Sequence, residues 1–302
     1  MPQILLYTIN GAAGDDGAAG AAGADGADGN TVPGGRLTLA TGDSLPTADQ
    51  TAKTTVYYTP HLHAFISLWN SGDGEWQQVE FTEKSVAVPS TTTTPFDVFG
   101  NLSAGDLALS TVNWTNDTTR ATAIARHAGY WTKSDDVTKL YLGTCRTTGT
   151  SGNCEDSVTN RFVWNMFNQE VRSFRKAHTG SGYTYSTATY RQTNNDSANQ
   201  VNFVVGLAGG YLEVDSLQLL SSTVADSNAH CGVGLDSTSV NAGVAMIVCN
   251  STALVMCVGH LATIITAVGM HSAVGLERGA GSGTQTWFSS GADRGMLGYF
   301  MA

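Results

Sequence analysis

From about residue 36 onward, short apolar and β-branched runs alternate with clusters of Gly, Ser, Thr, Asn and Asp. The runs RLTLAT, TTVYYTP, AFISLWN, EWQQVEFT, SVAVPS, FDVFG, DLALSTVNW, TKLYLGTCRTT and RFVWNMFN come first. After them come YTYSTATYRQT, QVNFVVGLA, YLEVDSLQLLSSTV, HCGVGLDS, GVAMIVCN, ALVMCVGHLATIITAVGMHSAVGLE, GTQTWFSS and MLGYFMA. Runs of this length, with alternating character and turn residues such as Ser71 to Gly74 between them, predict β-strands. Helical periodicity is nearly absent, with one short helix predicted near Ala121 to Arg126. The pattern therefore predicts an all-β protein of β-sandwich or jelly-roll-like domains. A joint is expected at His178 to Gly182, giving a first β-domain over 32–179 and a C-terminal β head over 180–302.

Ahead of these strands the pattern is different. Seven consecutive triplets from Gly11 to Thr31 place glycine at Gly11, Gly14, Gly17, Gly20, Gly23, Gly26 and Gly29. A strict period of three with glycine fits the collagen triple helix, whose crowded axis admits no side chain. Such a stalk over 11–31 would be roughly 65 Å long at about 3.1 Å per residue, and it implies a homotrimer. The triplets lack proline, and their only charges are Asp15, Asp16, Asp25 and Asp28, so the β-domains are expected to hold the three chains together. The alternative is a flexible Gly/Ala linker. Residues 1–10 (MPQILLYTIN) form a short apolar segment. Ile4, Leu5, Leu6 and Tyr7 are expected to bury either against a partner protein, as an added strand, or within the trimer itself.

Composition narrows the classes. The chain has 302 residues, a net charge of −10 and only 13% charged residues, against a norm of about 25%. With no clustered Lys/Arg stripe, nucleic-acid binding is not expected. Residues 244–268 are apolar enough to suggest a membrane span, but Asn250, Ser251 and His260 interrupt them, and two buried strands read better. No membrane insertion is expected. No basic leader is apparent at the N-terminus, which fits a cytosolically synthesised protein. Five cysteines without C-x-x-C spacing match no metal motif. Cys145 and Cys154 could face each other across a hairpin, but reduced thiols are the favoured reading.

Candidate chemistry is sparse. Gly42-Asp43-Ser44-Leu45 spells the nucleophile block of GDSL esterases, yet the companion D-x-x-H is missing. Asp226-x-x-x-His230 is one residue too long, and a turn accounts for the motif. His61 and His63 lie two apart, on one side of a strand, and three copies would bring six imidazoles to one axis. Two surface histidines beside Pro60 are the preferred reading, and neither a metal nor any other cofactor is expected. Glu155, Asp156, Asp135 and Asp136 show no calcium-loop pattern. Trp69, Trp76, Trp114, Trp131 and Trp164 fall inside strand patterns and read as core or subunit-interface residues. Trp287, Phe288, Tyr299 and Phe300, near the C-terminus among Gly and Ser, read as core or as a stacking surface for sugar rings.

Long strings carry a resemblance. GRLTLATGD, TVYYTP, ISLWN, TTTTPFDVFG, WTNDTTRATAIARHAGYWTKSDDVTKLYLGTCRTT, EDSVTNRFVWNMFN and YRQTNNDSANQVNFVVG, between Gly35 and Gly206, resemble a module of tailed-bacteriophage virion proteins of the tail-fibre or head-fibre kind. The resemblance implies a non-enzymatic trimeric structural or adhesion protein, located on the virion and assembled in the host cytoplasm. It implies no catalytic residues. The N-terminus is then expected to dock on another virion protein, of the capsid, neck or tail, and the head on a host cell-surface glycan. The alternatives are a fibre that decorates the capsid without an essential receptor and a carbohydrate-active tailspike.

Overall fold

The computed structural model describes residues 31–225, 227–246, 253–289, 291 and 294–302. The N-terminal segment 1–10 and the triplets up to Asn30 lie outside the described residues. Within them the protein is all-β, with one short 3-10 turn at Thr193–Asn195 and no α-helix.

Two sheets and a hairpin build the N-terminal part. Gly35–Thr38, Thr55–Pro60 and Lys84–Ala87 form an antiparallel sheet. Phe65–Asn70 and Glu75–Glu80 form a hairpin across the turn read at Ser71 to Gly74. Pro95–Ser103 and Asp106–Asn116 open a larger sheet. Their two-residue loop has positive φ at Ala104 and at Gly105 (51° and 82°), the geometry that matches the twist of the flanking strands. Leu37, Val56, Tyr58, Ile66, Leu68, Phe96, Val98, Leu140 and Leu142 are buried together between these layers.

The segment predicted as a helix near Ala121 to Arg126 is not one. Ile124–His127 is a strand paired with Tyr130–Lys133, turning through Ala128 and Gly129 at positive φ. Pairing wins over local propensity here because β-branched Thr122 and Ile124 weaken a helix, and Arg126 lies over the Trp131 ring at 4.7 Å.

Two seven-stranded sheets face each other across a second core. In one, Gly269–Arg278 is flanked by Tyr190–Gln192, Gln200–Val205 and His230–Leu235. In the other, Tyr211–Ser222 lies between Gly295–Met301 and Val255–Ile264. The sequence YLEVDSLQLLSS alternates half-buried and buried at every position, the signature of a strand covered on one face. Val201, Phe203, Ala273, Leu212, Val214, Phe300 and Phe174 meet in the core between them.

The expected division at 179/180 does not separate two bodies. Val171–Ala177 pairs along its whole length with Gly295–Met301. Asn160–Arg161 runs parallel to Gln200–Val205, and Cys154–Asp156 joins the same sheet with Gln50–Lys53. Phe99, Tyr141 and Trp164 belong to the same core as Phe203 and Phe300. The turn-rich stretch at His178 to Gly182 is therefore a connection inside a shared structure. A buried ion cluster ties the two facing sheets together: Asp156 accepts from Arg161 of its own sheet at 3.0 Å and from Arg172 of the other at 2.7 Å.

The Cys145 and Cys154 thiols are free and buried, Cys231 and Cys257 are buried, and burial and the neighbouring Cys154 raise the Cys145 thiol well above its ordinary pKa. Cys249 is outside the described residues. Within the described residues, no helix is long and apolar enough to cross a membrane.

Candidate functional site

The C-terminal aromatics come out differently from a sugar platform. Trp287 and Phe300 have no exposed surface. The Trp287 Nε1–H donates to the Tyr185 carbonyl at 3.0 Å, and Phe300 stacks among Phe174 and Phe203. Both fall on inward-facing positions of paired strands, so neither offers a ring face to a ligand. Phe288 and Tyr299 are half-buried, and the Tyr299 hydroxyl donates to Glu213 at 2.5 Å. Of the five strand tryptophans expected in the core or at a subunit interface, Trp76, Trp114 and Trp164 are buried and Trp69 and Trp131 are half-buried.

His61 and His63 do not share the face of a strand. The strand Thr55–Pro60 ends before them, and both lie in the bend that follows. His63 Nδ1 accepts the Phe65 N–H at 3.2 Å. His61 instead brings Ser44 and Glu170 together: its Nδ1 is 2.9 Å from Ser44 Oγ and its Nε2 is 3.4 Å from Glu170 Oε1. A serine, an imidazole and a carboxylate in line are the parts of a nucleophile relay. Acyl transfer also needs free donors aimed at the developing oxyanion, and here the nearby amides are engaged. The Gly42 N–H donates to Glu83 and the Leu45 N–H to the Asp43 carboxylate. Arg36, whose guanidinium is pushed down to about 10 by burial and by Arg172, donates to the Ser44 and Ala302 carbonyls. The cluster thus ties the chain's last residue to its first sheet. Asp226 is outside the described residues, and His230 faces Asn228 instead. Among the described residues no group of three or more His, Cys, Asp or Glu could hold a metal.

The carboxylates weighed from sequence are structural. Asp135 pairs with Lys133, Asp136 caps Thr138 and Asp156 sits in the buried ion cluster. Glu155 differs, because it ends a polar ladder. The Ser157 Oγ–H and Asn160 Nδ2–H donate to Glu155 Oε1 at 2.5 and 3.1 Å. Asn202 Nδ2–H donates to Asn160 Oδ1 at 2.8 Å. Gln200 Nε2–H and the Ser272 hydroxyl both donate to Asn202 Oδ1, at 2.9 and 2.8 Å. The ladder crosses four adjacent strands on the outer face of one sheet, and apart from the buried Ser157 every member is half-buried. Its side chains hold one another in place, and amides and hydroxyls retain donor and acceptor capacity toward solvent.

Asp236 stands at the end of this ladder. It follows the strand His230–Leu235 at positive φ (54°). Its Oδ2 meets His271 Nδ1 at 2.7 Å and its Oδ1 accepts the Ser272 N–H at 2.8 Å. Burial alone would raise its pKa; the hydrogen bonds from His271 and Ser272 outweigh that and hold the carboxyl below its ordinary value. Open depressions lie on either side of it. One of about 480 Å³ is lined by Gln200, Asp236, Ser237, Thr238, Ser272 and Val274. The other, about 620 Å³, is lined by Thr118, Asp236, Thr266, Val268, Met270 and His271 among others. A fixed carboxylate, flanking hydroxyls and a row of amides beside an apolar floor suit a neutral, hydroxyl-rich ligand. They contain no activated nucleophile.

No protein-family model matches the chain, and no curated protein matches it. Among solved structures it is similar to the insecticidal delta-endotoxin Cry8Ea1 from Bacillus thuringiensis, at 7% identity and a TM-score of 0.24 over 89% of this chain and 51% of that one. The chain thus spans about half of that protein's length, and a likeness this weak carries no argument about fold or function.

Proposed function

We propose that this chain is the subunit of a homotrimeric, non-enzymatic bacteriophage fibre. Its N-terminal segment, with Ile4, Leu5, Leu6 and Tyr7, docks on another virion protein. The triplets from Gly11 to Gly29 form a collagen-like stalk, and the β-rich body is displayed for attachment to a host cell-surface glycan. The observation that carries this reading is the unbroken glycine register ahead of an all-β body, because a single chain cannot build a triple helix. The glycan contact is assigned to the polar face around Asn202, Ser272 and Asp236, since Trp287 and Phe300 are enclosed.

The test is labelling of host cells by the fluorescent full-length protein, with competition by purified cell-surface polysaccharide. Asn202→Ala combined with Ser272→Ala removes two points of the ladder and should weaken labelling by about tenfold, the loss expected for roughly 1.4 kcal/mol of hydrogen bonding. Labelling unchanged by the double substitution would remove the polar face from the proposal. No labelling of host cells, with normal adsorption of phage lacking the protein, would favour a capsid-decorating fibre. Release of oligosaccharides would favour a tailspike depolymerase.

A further inference from the structure

The sheet that contains Tyr211–Ser222 has an outer face unlike the rest of the surface. Val171, Val244, Met256, Ile264 and Leu297 all lie on it, and each is between 40% and 65% exposed. The register aligns them. Tyr211 is opposite Ile264 and Leu219 is opposite Met256. Asp215 lies between Leu297 and His260, and His260 is opposite Val244. Directly opposed residues share a face, so these side chains form one continuous surface. Val171–Ala177 closes one edge, and Val244–Met246 pairs along the other side.

The few polar groups on this face already satisfy one another. Glu213 accepts from the Tyr211 and Tyr299 hydroxyls at 2.9 and 2.5 Å. Asp215 Oδ1 meets His260 Nδ1 at 2.7 Å. Covering paired polar groups costs far less than covering unpaired ones. From strand spacing and rise, the face measures about 20 Å by 30 Å, on the order of 600 Å². That is the upper end of what a monomer leaves exposed, about 300–600 Å², and close to the roughly 800 Å² per partner of a stable interface.

We infer that this face is the contact between copies of this chain. The inference rests on the trimeric reading above and adds the surface that builds it. The triplets run three copies in parallel from one stalk, so the body of each copy is held beside two others. In a ring of three, one part of the face meets a different part of the next copy.

The experiment uses the full chain. Light scattering gives its mass, and the oxidation rate of Met256 by peroxide, read by mass spectrometry, reports whether the face is covered. The wild-type protein should measure as three chains, with Met256 oxidised several-fold more slowly than in urea-unfolded protein. The double variant Leu297→Asp/Ile264→Asp should keep its β circular dichroism, fall below three chains and oxidise Met256 quickly. Leu62→Asp, at an exposed apolar residue outside this sheet, should remain a trimer. A double variant that still measures as three chains, or a wild-type Met256 oxidised as fast as in unfolded protein, overturns the assignment and leaves the trimer standing. A single-chain wild-type protein overturns both. Should the double variant fail to fold, the Met256 rate in the wild-type protein decides.

Discussion

His178 makes the stability of the body depend on pH in a defined window. It follows the strand Val171–Ala177 and is 3% exposed, wedged between the two facing sheets. Its Nε2 is 3.1 Å from Ser216 Oγ in one sheet, and its ring fills the space over Gly275 in the other, where an added Cβ would lie 2.3 Å from Cε1. Burial pushes its pKa down from 6.5 to about 4; the nearby Asn199 side chain opposes the shift and the Lys176 charge adds to it. The native imidazole therefore stays neutral while the unfolded chain takes up a proton below about pH 6.5. Stability is complete above pH 6.5 and falls as pH drops from 6.5 toward 4, because the unfolded state binds more protons there. At about 1.4 kcal/mol per unit, the loss across the window is on the order of 3 kcal/mol. Urea unfolding followed by tryptophan fluorescence, at fixed protein concentration and at half-unit steps from pH 7.5 to pH 4 (roughly the span of the two protonation states), measures it. His178→Gln retains a partner for Ser216 and should flatten this part of the profile relative to wild type. Parallel profiles for the two proteins would show that His178 protonates freely in the native state and refute the reasoning.

Other outcomes follow from the same geometry. Asp156→Ala leaves Arg161 and Arg172 buried without their carboxylate, and should cost about 3–5 kcal/mol in one cooperative urea transition; two separate transitions would show that the halves fold independently. Trp287→Ala should cost a similar amount, about 3–5 kcal/mol, as a core truncation, while cell labelling by the protein that remains folded is unchanged. If the inferred apolar interface rather than the stalk holds the copies, deleting residues 1–31 should leave a trimer by light scattering; a monomer would place that role in the triplets.

How far the sequence could be read depended on how local each feature was. The strand Tyr211–Ser222 was legible because its side chains alternate without interruption. So was the turn at Ser71 to Gly74, whose residues favour a tight reversal. Trp76, Trp114 and Trp164 were legible as core because a large apolar side chain in an alternating run has few other places to go, whereas Trp69 and Trp131 end up half-buried. Trp287 and Phe300 were ambiguous for the opposite reason. A period of two separates the faces of a strand without saying which face is covered, and that was decided by Tyr185 and Phe174, more than a hundred residues away. The helix expected near Ala121 to Arg126 failed because the Ala128-Gly129 turn commits Ile124–His127 to pairing. The boundary at 179/180 failed because glycine and serine mark a change of direction, whether or not a domain ends there. The amide ladder had no sequence signal. Glu155, Asn160, Asn202 and Ser272 become neighbours only through a parallel pairing and two non-sequential strands.

The two facing sheets carry different outer surfaces, and the difference is physical. Asn160, Gln200, Asn202 and Ser272 cover one with groups that water or sugar hydroxyls can satisfy. Val171, Met256, Ile264 and Leu297 cover the other with groups that water penalises at about 25 cal/mol per Å². A sandwich exposed on both sides has no reason to concentrate apolar residues on one of them. A sandwich packed on its own copies has one, since the same area then contributes to association. Sheets stacked on a common core have outer faces that point in opposite directions. Copies joined through the apolar face would therefore turn the amide ladder and Asp236 away from the shared axis. Each copy would present its own polar face, and a surface carrying repeated glycans would meet three weak contacts on one rigid particle, where linkage multiplies modest affinities. The trimer contact and the glycan contact are then consistent with each other, because neither needs the surface that the other uses.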